Sequence, residues 1–486
     1  MEAQSEEKQA RNIFSNISPI DHRYSISEEA VYKSLVSWIS EEASVAAAVK
    51  AEIALVCAHL TVRGKMTDAI KAELKKCAST IDPAQVYTEE EKTHHFIRAL
   101  VNVLKRKVPK DLAPLVHLGA TSVDILDTAL SCRMAGVTRT VILPLLKKLE
   151  LLLCDFAENE AETPQVGRTH GQHAVPITLG FTFAEYVSRL GKSILEIEKR
   201  SKELKGKLSG AAGAYNATSL IVKDPMELER IYLNELGLEP SEYSTQLVEP
   251  EYLLRLLLEF NTAFGIIANL ADDLRNLQRS EIGELHEGFG SDQVGSSTMP
   301  QKRNPWNSEH VKSLWKTFMP RVNTFFMDQI SEHQRDLTNS ASQRFIADYI
   351  AGFCLAVSRI TGVIKGLGVD RRKLLANLLG SGGGIPGGIM AEPAYILLAE
   401  TGISDAHEVI RKITLAAENE KTDFAAALAK ENALLEKIGG KLTELGLINN
   451  PAETLFFFEN PQGYCGLAAK KAKALAKKYR TLMGGQ

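Results

Sequence analysis

The sequence predicts a nearly all-α protein of three helical domains. Two apolar stripes and a missing pattern carry that expectation. Leu253, Leu257, Phe260, Phe264, Ile267, Ala271 and Leu274 step alternately by four and three residues, with charges between them. Phe183, Val187, Leu190, Ile194, Ile197 and Leu204 repeat the pattern, missing one step at Ser201, in a stretch where no proline interrupts positions 177–208. Such spacing lays a narrow apolar seam along one helix face, as in a bundle or coiled coil. Period-two alternation, the mark of half-buried strands, is scarce throughout.

In chain order, residues 1–120 form an N-terminal helical domain, 121–370 a central long-helix bundle, and 371–486 a C-terminal helical domain. Helices are expected at 125–157 and 306–330. Pro144 and Pro320 should kink them, since proline removes a backbone donor and crowds the preceding turn. The run from Ser381 to Gly388 has the glycines of a phosphate cradle but neither a preceding strand nor a Gly-Lys-Ser/Thr ending, so it reads as a flexible connector. From Ala468 to Arg480, lysines alternate with Ala and Leu, the composition of a terminal helix with one solvated face. Seams as long as the two stripes need covering, and a bundle extended by identical subunits would cover them, so a homo-oligomer is expected.

Composition narrows the function. Lys plus Arg total 57 against 60 for Asp plus Glu, a formal balance of −3 that supplies no field for nucleic acid. Met1–Arg11 is acidic and polar where a secretory leader needs a cationic start and an apolar run. No uninterrupted apolar stretch reaches the roughly 18 residues of a membrane span. A cytoplasmic protein without a membrane partner is expected. Cys57, Cys77, Cys132, Cys154, Cys354 and Cys465 show no Cys-x-x-Cys pairing, which suits reduced thiols better than a disulfide frame or a zinc site.

Chemistry concentrates at residues 295–305, Gly-Ser-Ser-Thr-Met-Pro-Gln-Lys-Arg-Asn-Pro. Hydroxyls, a cation and an amide share this loop, and Pro300 and Pro305 fix the chain on either side of Lys302 and Asn304. Such a set can handle a carbanion. Glycines at 283, 288 and 290 give the approach segment room to move. The same residues, taken alone, also spell a common turn followed by a solvated helix stop.

The eleven-residue pattern resembles the signature of the fumarate-releasing lyase superfamily, and further segments resemble its adenylosuccinate lyase branch. Asn16–Tyr24 is similar to a segment whose Arg and Tyr, here Arg23 and Tyr24, meet a nucleotide phosphate. His117-Leu-Gly-Ala-Thr-Ser-Val-Asp124 is similar to one that assigns His117, Thr121 and Ser122 to substrate. Ser244-Thr-Gln246 places Gln246 on the succinyl portion, and Gln334–Arg344 places Arg335, Ser340 and Arg344 around phosphate and ribose. His95 is retained as a substrate contact, but the family's usual His-Asp-Val reads His95-Phe-Ile here. The carboxylate at position 96 is therefore lost or relocated.

The resemblance also implies the reaction. Ser296 serves as base, stabilised as alkoxide by Lys302 and loop amides, while Lys302 and Asn304 hold the carboxylate that takes up charge. His170, in Gly167-Arg-Thr-His-Gly-Gln-His173, protonates the departing nitrogen, oriented by Glu309. His173 would pair with His170 on a metal only if a third ligand existed, and none is signalled; the family uses no metal and no cofactor. It forms homotetramers whose sites draw on three subunits. Two other superfamily enzymes are the nearest rivals, argininosuccinate lyase and carboxymuconate cycloisomerase, of which the latter shares the Gly-Arg-Thr-His and Gly-Ser-Ser-Thr-Met-Pro wording, but Arg23-Tyr24 and the Gln-Arg-Asp segment weigh against both. The full catalytic set weighs against a silent scaffold.

Overall fold

The computed structural model describes residues 12–290 and 292–484; the acidic Met1–Arg11 segment lies outside them. The fold is helical. The elements that position the site are α1 (Glu41–Val62), α2 (Phe96–Lys105), α3 (Ser122–Val137), α4 (Leu143–Asn159), the hairpin β1 (Pro164–Thr169) and β2 (Gln172–Thr178), α5 (Leu179–Lys202), α6 (Glu251–Leu277), α7 (Trp306–Phe318), α8 (Ile346–Lys365), α9 (Arg371–Leu379) and α10 (Ala468–Leu482). Both stripes are core: Leu257, Phe260, Phe264, Ile267, Ala271 and Leu274 in α6 are at most 2% exposed, as are Phe183, Val187, Leu190, Ile194 and Ile197 in α5.

The prolines act differently from a simple kink. A π-helical turn, Thr138–Ile142, joins α3 to α4 just before Pro144, so a widened turn takes up the missing donor. Within the same stretch Thr138 and Thr140 donate their hydroxyls back to Met134 O (2.6 Å) and Gly136 O (2.8 Å). Pro320 lies in a 3-10 turn, Met319–Arg321, which ends α7 and leads into a short helix, Val322–Met327.

Backbone contacts group the chain into two compact units. The first comprises Met1–Lys147, Ser193–Ile267 and Ser313–Arg359. Its core includes Val45, Val49, Ile53 and Leu60 of α1 with Leu100 and Val103 of α2, Ile125 of α3, and Leu228 and Tyr232. Asp124 lies buried beneath the start of α3 as the partner of Lys207 Nζ, which also donates to Gly210 O at 3.1 Å. Phe353 of α8 stacks on Phe260 (5.6 Å) and meets Phe264 edge-on (5.4 Å).

The second unit comprises Lys148–Lys192, Ala268–Lys312 and Ile360–Gln486. Leu378, Met390, Leu398, Ile410, Phe424, Leu428, Ile438 and Phe458 form its core together with Val166 from β1. Helix α10 buries Ala472, Ala476 and Tyr479 and turns its lysines outward, with Lys473 on Glu162 (2.7 Å) and Arg480 on Asp155 and Glu158 (2.5 and 2.7 Å).

Three helical stretches, Glu29–Val62, Glu251–Leu277 and Ser342–Lys365, are long and apolar enough by composition to cross a membrane. Their most apolar windows are 72%, 56% and 72% buried within the protein, so its own core takes up most of that apolar surface.

Candidate functional site

The loop that carries the signature is closed at its neck by Glu287. Its carboxylate, only 8% exposed, accepts from Asn307 N (3.1 Å), Asn307 Nδ2 (3.0 Å), Ser308 N (2.7 Å) and Ser308 Oγ (2.6 Å). Those amides open α7, where unpaired N–H groups and the helix dipole favour a negative charge. One carboxylate thus ties the entry of the loop to its exit.

Inside the neck the chain folds on itself. Ser296 Oγ accepts from the amides of Met299 (3.1 Å) and Thr298 (3.4 Å), so backbone dipoles already point at the oxygen that would carry alkoxide charge. Asn304 Nδ2 donates to Gly295 O at 3.1 Å. A Cβ at Gly295 would stand 2.1 Å from Lys302 O, so only glycine permits this close approach. Lys302, Asn304 and Glu309 line one open cavity of about 650 Å³ with Arg275, Asn276 and Arg279. Ser296 is half-buried beside it and is not part of the lining.

His170 stands exposed at the tip of the β1–β2 hairpin. The two turn residues, His170 (φ 56°) and Gly171 (φ 73°), are both left-handed, as the tightest hairpin turn requires. Its base is rigid. Glu284, fully buried, accepts from Arg168 Nη2 (2.6 Å), Gln165 Nε2 (2.7 Å) and Asn377 Nδ2 (2.8 Å), and Thr182 Oγ1 holds Gln165 Oε1 (2.7 Å). Glu284 lies three residues before Glu287, so two carboxylates close together in sequence fix the hairpin and the loop neck. Burial, and then the Arg168 charge, hold His173 below the ordinary histidine pKa. Arg168, Gly171 and His173 line a second cavity of about 1100 Å³, which shares Asn276 and Arg279 with the loop cavity. Among the described residues no hydrogen bond or ion pair joins His170 to Glu309, and no group of His, Cys, Asp and Glu is arranged to hold a metal.

The remaining predicted residues belong to the first unit. His95 caps α2, its Nδ1 accepting from Arg98 N (3.2 Å). An amide can only donate, so the neutral ring carries its proton on Nε2, which faces Ser122 Oγ at 3.4 Å. Thr121 and Asp124 form a reciprocal cap on α3, which places Thr121 and Ser122 at a helix N-terminus. His117 is left-handed (φ 61°), and its Nδ1 lies 2.7 Å from Glu52 Oε1. Arg23 and Tyr24 end a π-helical turn, Ile20–Tyr24, with Arg23 exposed.

Two of the motifs meet: Gln246 N donates to Gln334 O at 3.2 Å, which puts the Ser-Thr-Gln segment beside the Gln-Arg-Asp segment. Arg335 is left-handed (φ 87°), and its guanidinium donates to Gln329 O (3.0 Å) and Asp328 O (3.1 Å) while Nε is buried without a partner. It shares a small cavity with Asp127, whose carboxyl burial pushes up to about 6. Ser340 and Arg344 are exposed. Of seven non-glycine residues with positive φ among those described, His117, His170 and Arg335 are predicted site residues, and His94 adjoins a fourth. Such strain persists where surrounding structure enforces it, and it collects at functional sites.

Sequence reasoning missed Glu52, Glu284 and Glu287. Glu52 was legible as the one acid inside the apolar run Ala51–Leu60. The other two lie among glycines in the approach segment, and only the fold shows them to be buried.

Two family patterns match in tandem, one described as "Lyase" over residues 6–317 and one as "Adenylosuccinate lyase C-terminal" over 331–449. The adenylosuccinate lyase of Pyrococcus horikoshii is 33% identical over 470 residues, which covers 95% of this chain and 97% of that protein. That of Methanocaldococcus jannaschii is 32% identical over 93% of this chain and 94% of its own length. Among solved structures, a fumarate lyase from Mesorhizobium sp. BNC1 (22% identity, 93% and 98% coverage) superposes with a TM-score of 0.77. The 3-carboxy-cis,cis-muconate lactonizing enzyme of Pseudomonas putida (23%, 92% and 97%) gives 0.76. At such identities the likeness speaks for the fold alone.

Proposed function

The chain belongs to the adenylosuccinate lyase family, and from that premise we propose that it removes fumarate from adenylosuccinate by β-elimination, leaving AMP. It treats the succinyl-aminoimidazole-carboxamide ribotide of purine synthesis in the same way, leaving AICAR. The observation that carries this reading is the nearly end-to-end match to relatives of that name.

Ser296 takes the proton from the carbon beside a carboxylate, with the amides of Thr298 and Met299 supporting the oxygen. Lys302 holds the carboxylate as charge develops, and Asn304 joins it by exchanging its bond to Gly295 O for one to substrate. His170 protonates the departing nitrogen, with Glu309 orienting the ring. In the homotetramer that the family resemblance implies, this pairing falls between subunits, a reading supported by the lack of a His170–Glu309 bond among the described residues of one chain. Arg23, Tyr24, His95, His117, Thr121, Ser122, Gln246, Arg335, Ser340 and Arg344 bind the nucleotide and succinyl portions. Arg335 releases its two backbone carbonyls to do so. No metal or cofactor takes part. The three-domain division at about 120 and 370 belongs to the same proposal, with the central helices building the tetramer core, and the location is the cytoplasm.

Purified protein mixed with adenylosuccinate should lower the absorbance of the succinylated purine and release fumarate. An inert protein under conditions that support its relatives would remove the proposal.

A further inference from the structure

Apart from Cys57, the buried length of α1 is apolar except at Glu52 and His59, both 0% exposed. Seven residues are two turns, so the pair shares one face. Both side chains reach the same short segment. Glu52 Oε1 lies 2.7 Å from His117 Nδ1, and His59 Nε2 lies 2.8 Å from Leu118 O. A carbonyl only accepts, so His59 carries its proton on Nε2, and its Nδ1 is buried without a partner. Burial holds His59 below the ordinary histidine pKa, which keeps it neutral. Glu52 Oε2 is likewise buried and unpartnered.

Leaving polar atoms unmatched inside an apolar helix is unfavourable, and an apolar pair would anchor a loop without that penalty. What Glu52 does that an apolar residue cannot is orient an imidazole. His117 is held in the left-handed region, with its side chain 22% exposed and its Nδ1 directed at a buried carboxylate. Its Nε2 is the ring atom left for a ligand.

We infer that Glu52 is a positioning residue for His117. It accepts the Nδ1 proton, fixes ring orientation and tautomer, and thereby presents the Nε2 lone pair to a hydroxyl or N–H donor of the nucleotide, while His59 holds the adjoining carbonyl. This rests on the substrate reading proposed above, in which His117 touches the nucleotide.

The test is steady-state kinetics on the full-length enzyme with adenylosuccinate. Glu52→Gln, whose amide either accepts more weakly from Nδ1 or donates to it and reverses the tautomer, should raise KM about tenfold, the difference between a charge-assisted and a neutral hydrogen bond, and change kcat less than about threefold. Glu52→Asp, which keeps the charge but withdraws it by one methylene, should fall between. In a His117→Ala background, Glu52→Gln should add nothing further to KM. A packing role alone would lower thermal stability and leave the KM of folded enzyme unchanged. An unchanged KM in folded Glu52→Gln, or effects that multiply with His117→Ala, would overturn the inference. If Glu52→Gln does not fold, a wild-type KM in Glu52→Asp overturns it equally. Wild-type protein without turnover would instead remove the substrate reading itself.

Discussion

Replacing Glu150 by Gln should stabilise the protein, and the gain should depend on pH. The Glu150 side chain is 0% exposed in α4, and neither carboxyl oxygen has a hydrogen-bond partner. It is pressed against Gly191 of α5, where a Cβ would lie 2.8 Å from Oε1 and 2.2 Å from the Tyr479 ring of α10. Burial without a compensating donor raises its pKa from 4.5 to about 9. Between those values the unfolded chain is ionised and the folded chain keeps its proton, so ionisation favours unfolding. The penalty is absent below pH 4.5, grows by about 1.4 kcal/mol per pH unit, and levels off above about pH 9. At pH 7 it amounts to about 3 kcal/mol. Gln has nearly the same shape and leaves about as many polar atoms unmatched as a protonated carboxyl, so those costs cancel. Urea unfolding of both proteins at pH 5, 7 and 8.5 measures the difference. Glu150→Gln should nearly match wild type at pH 5, exceed it by about 3 kcal/mol at pH 7, and gain further at pH 8.5. A difference that does not change with pH would refute the reasoning.

The other expectations concern the loop, the hairpin and the assembly. Gly295→Ala forces a Cβ to within 2.1 Å of Lys302 O, so the loop must shift and kcat should fall about a hundredfold with unfolding unchanged; wild-type kcat would contradict the loop's role. Arg168→Ala leaves the Glu284 carboxylate buried beside only neutral donors and should destabilise by about 3–5 kcal/mol in urea unfolding. A loss under about 1 kcal/mol would show that Gln165 and Asn377 suffice. Ser296→Ala and His170→Ala proteins, each inactive, should regain activity when mixed under subunit exchange. If no activity returns while exchange is demonstrated, the two residues do not act from different subunits.

Helix periodicity made the long helices legible before any coordinates, because a seam repeating at alternating steps of four and three can bury itself only as a helix face. The signature loop and the Thr-His-Gly segment stood out too, through the pattern they share with the lyase superfamily rather than through their residue types alone. The sequence did not reveal that Pro144 follows a π-helical turn, because proline states only that a donor is missing and not how the preceding turn takes up its absence. Nor did it show that Asn304 and Arg335 spend their donors on backbone carbonyls.

By itself, then, the amino-acid order determined the helical class, the reactive residue types and their family. Which carboxylates sit behind those residues was decided by tertiary structure alone. Glu52, Glu284 and Glu287 gain their roles from burial and from donors on distant segments: His117, Arg168 with Asn377, and Asn307 with Ser308. The strength of an ion pair depends on how much water the fold removes around it, and no stretch of sequence states that quantity.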